Sequence, residues 1–243
     1  MEERDLLREQ VEYYQARAAE YDEWFLREGR YDRGPEHRAR WFREAAIVEA
    51  ALQKALPSGD VLELACGTGL WTQHLVKQHS RVVAIDVSAE AIAINRERVD
   101  SNAVEYIVAD LFDWTPPAGR FDAVFFGFWL SHVPPGHFDA FWETVRAALK
   151  PDGRVFFVDS LLEQTSTARD HDQLDKSGEV RRRLNDGREF SIVKVFYEPA
   201  RLEQRLADCG WEGWVRSSGQ FFLYGSVTRI ANSRPGAGWR ANG

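Results

Sequence analysis

Short apolar runs alternate with amphipathic stretches through the middle of the chain, and this alternation predicts strands separated by helices. The predicted strands are residues 61–65, 81–86, 104–110, 121–128 and 154–160. Helices are predicted between them over residues 70–79, 88–99 and 134–149. Most of these strands are nearly continuous apolar runs, which is typical of strands buried on both faces. Strands joined by helices at this spacing form right-handed crossovers, so we expect an α/β fold with a doubly wound sheet.

The chain before the first strand predicts two amphipathic helices. Residues 3–27 and 36–56 place apolar side chains at helical spacing, and Gly29 with the pair Gly34-Pro35 separates the two stretches. We therefore expect this N-terminal region to form a helical cap or lid on the sheet.

The last third of the chain predicts two hairpins on either side of a helix. The first hairpin spans residues 181–197 and turns at Asn185-Asp186-Gly187. A helix over 199–209 follows, and a second hairpin turns near Ser218-Gly219. The predicted organisation is a cap at 1–57, a domain at 58–229 with an insertion at about 161–197, and a flexible tail at 230–243.

Composition and charge narrow the class of protein. The 44% hydrophobic and 28% charged content fits a folded globular chain, and no apolar run reaches the roughly 18 residues of a membrane helix. The net charge of −7 disfavours broad nucleic-acid binding. Two cysteines and a charged N-terminus favour a reducing, cytoplasmic setting without a secretory signal. The histidines show no metal-ligand spacing, so no metal site is predicted.

The residues that follow the predicted strands carry the candidate chemistry, because ligands of open parallel sheets bind at the carboxyl ends of the strands. Gly67-Thr68-Gly69 follows the first strand and lets the backbone approach a ligand closely. Asp86 ends the second strand, where a carboxylate can accept both hydroxyls of a ribose. Asp110 ends the third strand, where it can accept from an exocyclic amine such as that of adenine. The set predicts a nucleoside site.

The glycine turn departs from the dinucleotide-binding fingerprint. The third glycine of the G-x-G-x-x-G pattern is Thr72 here, which disfavours the close helix packing around a pyrophosphate. Glu63, before the turn, would repel phosphates but attract an amino group. A ligand with an amine, a carboxylate, a ribose and an adenine satisfies the whole set, and S-adenosylmethionine is such a ligand.

Several segments resemble the class I S-adenosylmethionine-dependent methyltransferases, and the similarity covers about residues 40–226. Residues 63–69, ELACGTG, resemble the glycine motif of that family. Further matching positions are Asp86, Asp110-Leu111, residues 121–124 and residues 149–154. The N-terminal pairs Tyr13-Tyr14, Arg17-Ala18 and Tyr21-Asp22 resemble the lid of bacterial small-molecule members. The resemblance implies a Rossmann-like sheet of seven strands with the last antiparallel, to which this chain adds an inserted hairpin.

The resemblance also implies contacts to S-adenosylmethionine as cofactor. The implied contacts are Glu63, Gly67 and Gly69 to the methionine part, Asp86 to the ribose, and Asp110 with Leu111 to the adenine. Strand-end neighbours and lid residues complete the predicted set with Tyr14, Arg17, Tyr21, Ala65, Trp71, Val87, Phe112 and Gly127. For Trp71 and Phe112, packing between helix and sheet is the alternative role.

The acceptor side is predicted from the loop after the fourth strand. His132 is a candidate general base, and its alternative role is to bond a backbone carbonyl and shape that loop. Arg181-Arg182-Arg183 either binds an acidic substrate group or lies on a solvated strand edge. Substrate contacts are predicted at Phe128, Trp129, His132 and Tyr197.

We predict methyl transfer to oxygen, nitrogen or carbon of a small-molecule acceptor. Two other functions stay open: a non-catalytic nucleoside-binding module on the same fold, and a nicotinamide-dependent oxidoreductase. The negative net charge and the absence of an Asn/Asp-Pro-Pro-Tyr tetrapeptide disfavour a nucleic-acid methyltransferase. The sequence predicts no membrane association and leaves monomer and homodimer open.

Overall fold

The structure is a computed structural model that describes residues 3–174 and 177–230. Apart from Ile230, the tail predicted at 230–243 lies outside the described residues. The strands of the described chain are β1 (Asp60–Leu64), β2 (Arg81–Asp86), β3 (Val104–Val108), β4 (Phe121–Gly127), β5 (Leu149–Ser160), β6 (Gly178–Arg183), β7 (Glu189–Lys194), β8 (Trp211–Ser217) and β9 (Phe222–Arg229).

Seven of these strands form one sheet in the order β3-β2-β1-β4-β5-β9-β8. Strands β1 to β5 pair in parallel, and β9 runs antiparallel between β5 and β8. The sequence prediction of a doubly wound α/β sheet with an antiparallel last strand is confirmed. The remaining strands, β6 and β7, form the inserted hairpin as a separate two-stranded sheet.

The helices lie where they were predicted, but two predictions are wrong in extent: the first helix is divided, and the helix predicted over 70–79 is confined to Thr72–Leu75. They are α1 (Glu3–Arg17), α2 (Tyr21–Leu26), α3 (Pro35–Ala55), α4 (Thr72–Leu75), α5 (Ala89–Val99), α6 (Phe138–Ala148) and α7 (Pro199–Asp208). The helix predicted over 3–27 is divided by a 3-10 turn at Ala18–Glu20. This turn redirects the chain because Trp24 and Phe25 pack on Phe128, a surface out of line with α1. No helix in the described ranges is long and apolar enough to cross a bilayer.

The core forms two layers, one on each face of the sheet. Neighbouring side chains of a strand point to opposite faces, so Phe125 and Phe126 enter different layers. The same alternation separates Phe156 from Phe157 on β5. The rings of Phe126 and Phe157 lie nearly parallel at 5.6 Å, beneath α6. These buried strands hold the loops at their carboxyl ends in fixed positions.

The hairpin is held to the main domain along the free edge of β7. The Ser191 amide donates to Glu9 Oε1 at 2.6 Å, and the Val193 amide donates to Gln10 Oε1 at 3.1 Å. Just beyond β7, the Val195 amide donates to the Ser131 carbonyl at 2.8 Å. Each second amide of the edge therefore has a partner on α1 or on the loop after β4, and the edge is closed to further strands.

Candidate active site

The loops after β1, β2, β3 and β4 meet in one cleft with an empty volume of about 740 Å³, which we call the main cleft. The α1 helix covers it from above, with Gln10 and Tyr14 on its wall. The structure brings together most of the predicted cofactor contacts here: Tyr14, Tyr21, Ala65, Gly67, Asp86, Val87, Asp110, Leu111, Phe112 and Gly127. The predicted position at the carboxyl ends of the strands therefore coincides with a cleft in the structure.

The glycine turn shapes the floor of the main cleft. Gly67 has φ +51°, a conformation that favours glycine, and its amide donates to Asp86 Oδ2 at 2.8 Å. Gly69, with φ +88°, is not among the residues that line the main cleft. A Cβ atom at this position would come within 2.6 Å of Asn95 Oδ1. The Asn95 amide group donates back to the Gly67 carbonyl at 3.2 Å. Gly69 thus lets α5 support the turn from behind.

Two carboxylates project from the ends of β2 and β3. Asp86 accepts the amides of Gly67 and Ser88, the latter at 2.9 Å, which fixes both of its oxygens. Burial raises the pKa of Asp86 above its ordinary value, while these backbone hydrogen bonds oppose the shift. Asp110 Oδ1 accepts the Phe112 amide at 2.9 Å, within the main cleft. Each side chain keeps lone pairs for hydroxyl or amine donors.

A smaller recess of about 310 Å³ adjoins the glycine turn and holds two unpartnered polar groups. Glu63 is 1% exposed, and its Oε2 has no hydrogen-bond partner. Burial raises the Glu63 pKa to about 8. The Trp71 indole Nε1, which also lines the recess, is buried without an acceptor. A carboxyl oxygen and an N–H donor that both lack partners suit a ligand end that carries an ammonium and a carboxylate.

A second cavity, the cationic cavity, lies between α1, α2, the inserted hairpin and the end of β5, with an empty volume of about 550 Å³. Its charged walls are Arg17, Arg182 and Lys194. No aspartate or glutamate is among its described lining residues. The rest of the wall is mostly aromatic or hydroxylic and includes Tyr13, Tyr31, Phe196, Ser160, Ser166 and Thr167.

The three cations have few protein partners. Strand alternation turns Arg182 inward while Arg181 and Arg183 stay exposed. Among the described residues, Arg182 donates to the Arg181 carbonyl at 3.4 Å and to no carboxylate. Arg17 donates to the Tyr31 hydroxyl at 3.4 Å and leaves its Nε unpaired. Lys194 Nζ donates to Ser131 Oγ at 2.8 Å, and burial lowers its pKa to about 8. By contrast, the buried Arg27 outside the cavity is bonded to backbone carbonyls.

The main cleft and the cationic cavity share four lining residues, which define a junction: Tyr14, Tyr21, Phe128 and His132. His132 Nδ1 lies 2.7 Å from the Val193 carbonyl, and Nε2 lies 2.7 Å from the Tyr14 hydroxyl. Burial and the nearby Lys194 lower the pKa of His132 well below its ordinary value, so the ring is neutral. Burial raises the Tyr14 pKa well above its ordinary value, so Tyr14 keeps its proton.

Some predicted site residues lie elsewhere. Arg17 lines the cationic cavity instead of the main cleft. Trp129 lines the main cleft, and His132 lines both cavities. Tyr197 lies outside both cavities and packs 6.0 Å from the Phe138 ring, because the chain has left the hairpin there. Sequence reasoning missed Gln10 and Lys194, since neither type stands out in an amphipathic helix or a hairpin strand.

An open parallel sheet with a glycine turn, two strand-end carboxylates and an unpartnered buried glutamate defines a nucleoside-binding α/β protein of the methyltransferase type. A family model described as "Methyltransferase domain" matches residues 61–153. The solved DhpI–SAH complex is 42% identical over 92% of this chain and 97% of that chain, with a TM-score of 0.74. A DhpI–SAM–HEP complex is 43% identical over 91% and 97% of the two chains, with a TM-score of 0.75.

A ubiquinone biosynthesis O-methyltransferase of Xanthomonas campestris pv. campestris is 30% identical over 138 residues. That match covers 56% of each protein, so the chain spans about half the length of the curated relatives it matches. The near-complete match to DhpI shows the family: the chain belongs to the class I S-adenosylmethionine-dependent methyltransferases, and S-adenosylmethionine is its cofactor. The unpartnered Glu63 and Trp71 fit the two charges of its methionine part.

Proposed function

We propose that this protein transfers a methyl group from S-adenosylmethionine to an oxygen of a small, negatively charged acceptor. The observation that carries the proposal is the junction at Tyr14, Tyr21, Phe128 and His132, which line both the cationic cavity and the main cleft, so the two cavities lie side by side. The DhpI complex with both SAM and HEP shows a relative that holds two molecules, which is what two adjacent cavities would allow.

The main cleft and the adjoining recess would together hold the cofactor. Asp86 would accept the ribose hydroxyls, Asp110 the adenine amine, and Glu63 the ammonium group. Trp71 would donate its indole N–H to the carboxylate of the methionine part. When bound, the cofactor supplies an activated methyl group on a sulfonium, so alignment of donor and acceptor accounts for most of the rate increase.

The charge of the cationic cavity favours an acceptor with two negative charges. Arg17, Arg182 and Lys194 provide three positive charges, and the nearby carboxylate Asp159 lies 3.8 Å from Lys194 Nζ. Asp159, which also accepts the amides of Ser131 and Ser160, offsets one of the three charges, so two positive charges remain uncompensated. Uncompensated buried charge is costly, and a doubly charged oxyanion such as a phosphonate or phosphate monoester would neutralise it.

The reaction needs no proton transfer if the attacking atom is an anionic oxygen. A lone pair of that oxygen forms the new C–O bond while the C–S bond breaks, and sulfur keeps the bonding pair. The acceptor loses one negative charge and the donor loses its positive charge. A base role for His132 would have to act through Tyr14, because His132 Nε2 already accepts from that hydroxyl.

The test measures acceptor binding and methyl transfer separately. Calorimetry with the S-adenosylhomocysteine-loaded protein would compare ethylphosphonate, succinate, propionate, catechol and ethylamine, and methyl-labelled donor would report transfer to each. We expect ethylphosphonate to bind tightest and to accept label. Arg182→Met should weaken its binding roughly thirtyfold, a loss of about 2 kcal/mol, because a buried charge pair is broken. Arg181→Met, on the same strand but exposed, is the matched control.

Other results would overturn parts of the proposal. Tighter binding of catechol or ethylamine would contradict an anionic acceptor and favour methylation of a neutral or amine group. Cofactor binding without transfer to any acceptor would favour the non-catalytic nucleoside-binding module. Binding of NADH in preference to S-adenosylhomocysteine would favour the oxidoreductase.

A further inference from the structure

The Gln10 side chain closes a ring of buried hydrogen bonds between three separate elements. Its Oε1 accepts the Val193 amide of β7 at 3.1 Å, and its Nε2 donates to the His132 carbonyl at 3.1 Å. His132 Nδ1 lies 2.7 Å from the Val193 carbonyl oxygen, within hydrogen-bond distance. All three residues are at most 5% exposed. The ring therefore ties α1, the loop after β4 and the inserted hairpin together at the junction.

The chemistry of the ring fixes every proton in it. A backbone amide N–H can only donate, so the atom of Gln10 that faces the Val193 amide must be the side-chain oxygen. The Gln10 NH₂ group therefore faces the His132 carbonyl. The Val193 carbonyl can only accept, so His132 carries its proton on Nδ1. Nε2 is then a bare acceptor, and the Tyr14 hydroxyl 2.7 Å away donates to it.

The direction of the Tyr14 proton sets the polarity of the junction. Because the O–H bond points at His132, the lone pairs of the Tyr14 oxygen are left for the two cavities. Those lone pairs attract the positively polarised hydrogens of a sulfonium methyl group through weak C–H···O contacts. They repel an oxyanion, which is directed toward Arg17, Arg182 and Lys194 on the other side.

We propose that Gln10 is a positioning residue for methyl transfer: it holds the Val193 backbone against the loop of His132, so that the Val193 carbonyl meets Nδ1 and keeps His132 in the Nδ1–H tautomer, with the Tyr14 proton turned away from the reacting groups. This role rests on the proposed function, because it assumes methyl transfer at the junction. Gln10 touches neither reacting atom in this scheme and acts through His132 and Tyr14. Removal of its two hydrogen bonds lets the Val193 carbonyl move away from Nδ1, and His132 can then place its proton on Nε2 and donate to Tyr14.

A spectroscopic measurement tests the tautomer independently of activity. Nitrogen-15 NMR of the histidine rings in the full chain distinguishes Nδ1–H from Nε2–H, and a His132→Gln variant assigns the signal. We expect wild-type His132 as the Nδ1–H form and a mixture of both forms in Gln10→Met. Gln15→Met, the same change at an exposed position of α1, should leave the spectrum unchanged. Gln10→Glu keeps the acceptor for Val193 and serves as a second variant if Gln10→Met unfolds.

The kinetic test uses the acceptor found for the proposed function. We expect Gln10→Met to lower kcat roughly tenfold, as loss of an outer hydrogen-bond partner does at other sites, with S-adenosylhomocysteine affinity within threefold of wild type. Tyr14→Phe should lower kcat by a similar factor. The double variant should be no slower than Tyr14→Phe alone, because Gln10 acts through that hydroxyl.

Several outcomes would overturn the role of Gln10. These are an unchanged His132 tautomer in both Gln10 variants, a kcat within twofold of wild type, or fully additive losses in the double variant. If the wild-type protein transfers no methyl group, the proposed function fails while the NMR result still decides whether Gln10 sets the tautomer. The two failures are therefore distinguishable.

Discussion

At the scale of single residues, the recess beside the glycine turn contains buried polar atoms that have no hydrogen-bond partner among the described residues. Glu63 is the clearest case, with an unpartnered oxygen beside the unpartnered indole of Trp71. An unpaired buried carboxyl is costly as an anion, so it holds its proton at neutral pH in the free protein. A ligand ammonium would reverse that preference.

Cofactor binding should therefore release a proton from Glu63. Its pKa of about 8 in the free protein falls when an ammonium pairs with it, so the affinity for S-adenosylhomocysteine should rise as pH rises toward about 8 and level off above. Calorimetry at pH 7 in two buffers of different ionisation enthalpy measures the proton count. We expect release of close to one proton in the wild type and none in Glu63→Gln, which should also bind more weakly. Equal proton release by both proteins would contradict this account.

The sequence predicted some residues of the site and not others, for a physical reason. Asp86, Asp110 and Glu63 could be found because the end of a parallel strand is a fixed place in the fold. Lys194 and Gln10 could not be found, because their burial depends on how α1 packs against the hairpin, which lies 183 positions further along the chain at the Gln10–Val193 contact. One of the two roles considered for Arg181 to Arg183 was to bind an acidic substrate group. Of the three, only Arg182 can do so inside the cavity, because strand alternation buries its side chain and exposes the other two.

At the scale of elements, α1 and α2 form a cover that is fastened to the sheet at several points. Asp22 on α2 accepts from the Thr68 hydroxyl at 2.6 Å and pairs with Arg98 of α5. Arg98 also donates to Thr68 Oγ1 at 3.1 Å. These contacts join the cover to the glycine turn. The predicted single helix over 3–27 missed this arrangement because apolar spacing does not encode where a helix bends onto another surface.

Loss of the Asp22–Arg98 pair should speed cofactor exchange. The pair is about three-quarters buried, and an ion pair near the surface contributes about 0.5–1 kcal/mol, so Arg98→Met should raise the S-adenosylhomocysteine dissociation rate roughly two- to fivefold. Stopped-flow tryptophan fluorescence measures that rate. Arg43→Met, at an exposed position of α3, is the control. An unchanged rate in Arg98→Met would show that the cover does not limit release.

At the scale of the whole molecule, stability comes from the two aromatic layers around the sheet, separate from the polar site. Phe157 is fully buried between β5 and α6. Phe157→Ala should lower the free energy of unfolding by about 3–5 kcal/mol, since a large buried ring leaves a cavity. Guanidinium denaturation followed by circular dichroism measures the change. Phe42→Ala, at a ring 37% exposed, should cost far less, and equal losses would refute the layered account.

The hydrogen bonds between α1 and β7 also bear on the order in which parts of the fold can form during synthesis. Gln10 and Val193 are 183 positions apart, so the first helix leaves the ribosome long before its docking partner exists. Strands β1 to β4 can pair meanwhile, since their partners are near in sequence. The cationic cavity is consequently completed only after β1 to β4 and the loops of the main cleft have been synthesised, so the growing chain contains the cleft before it contains the hairpin wall of the second cavity.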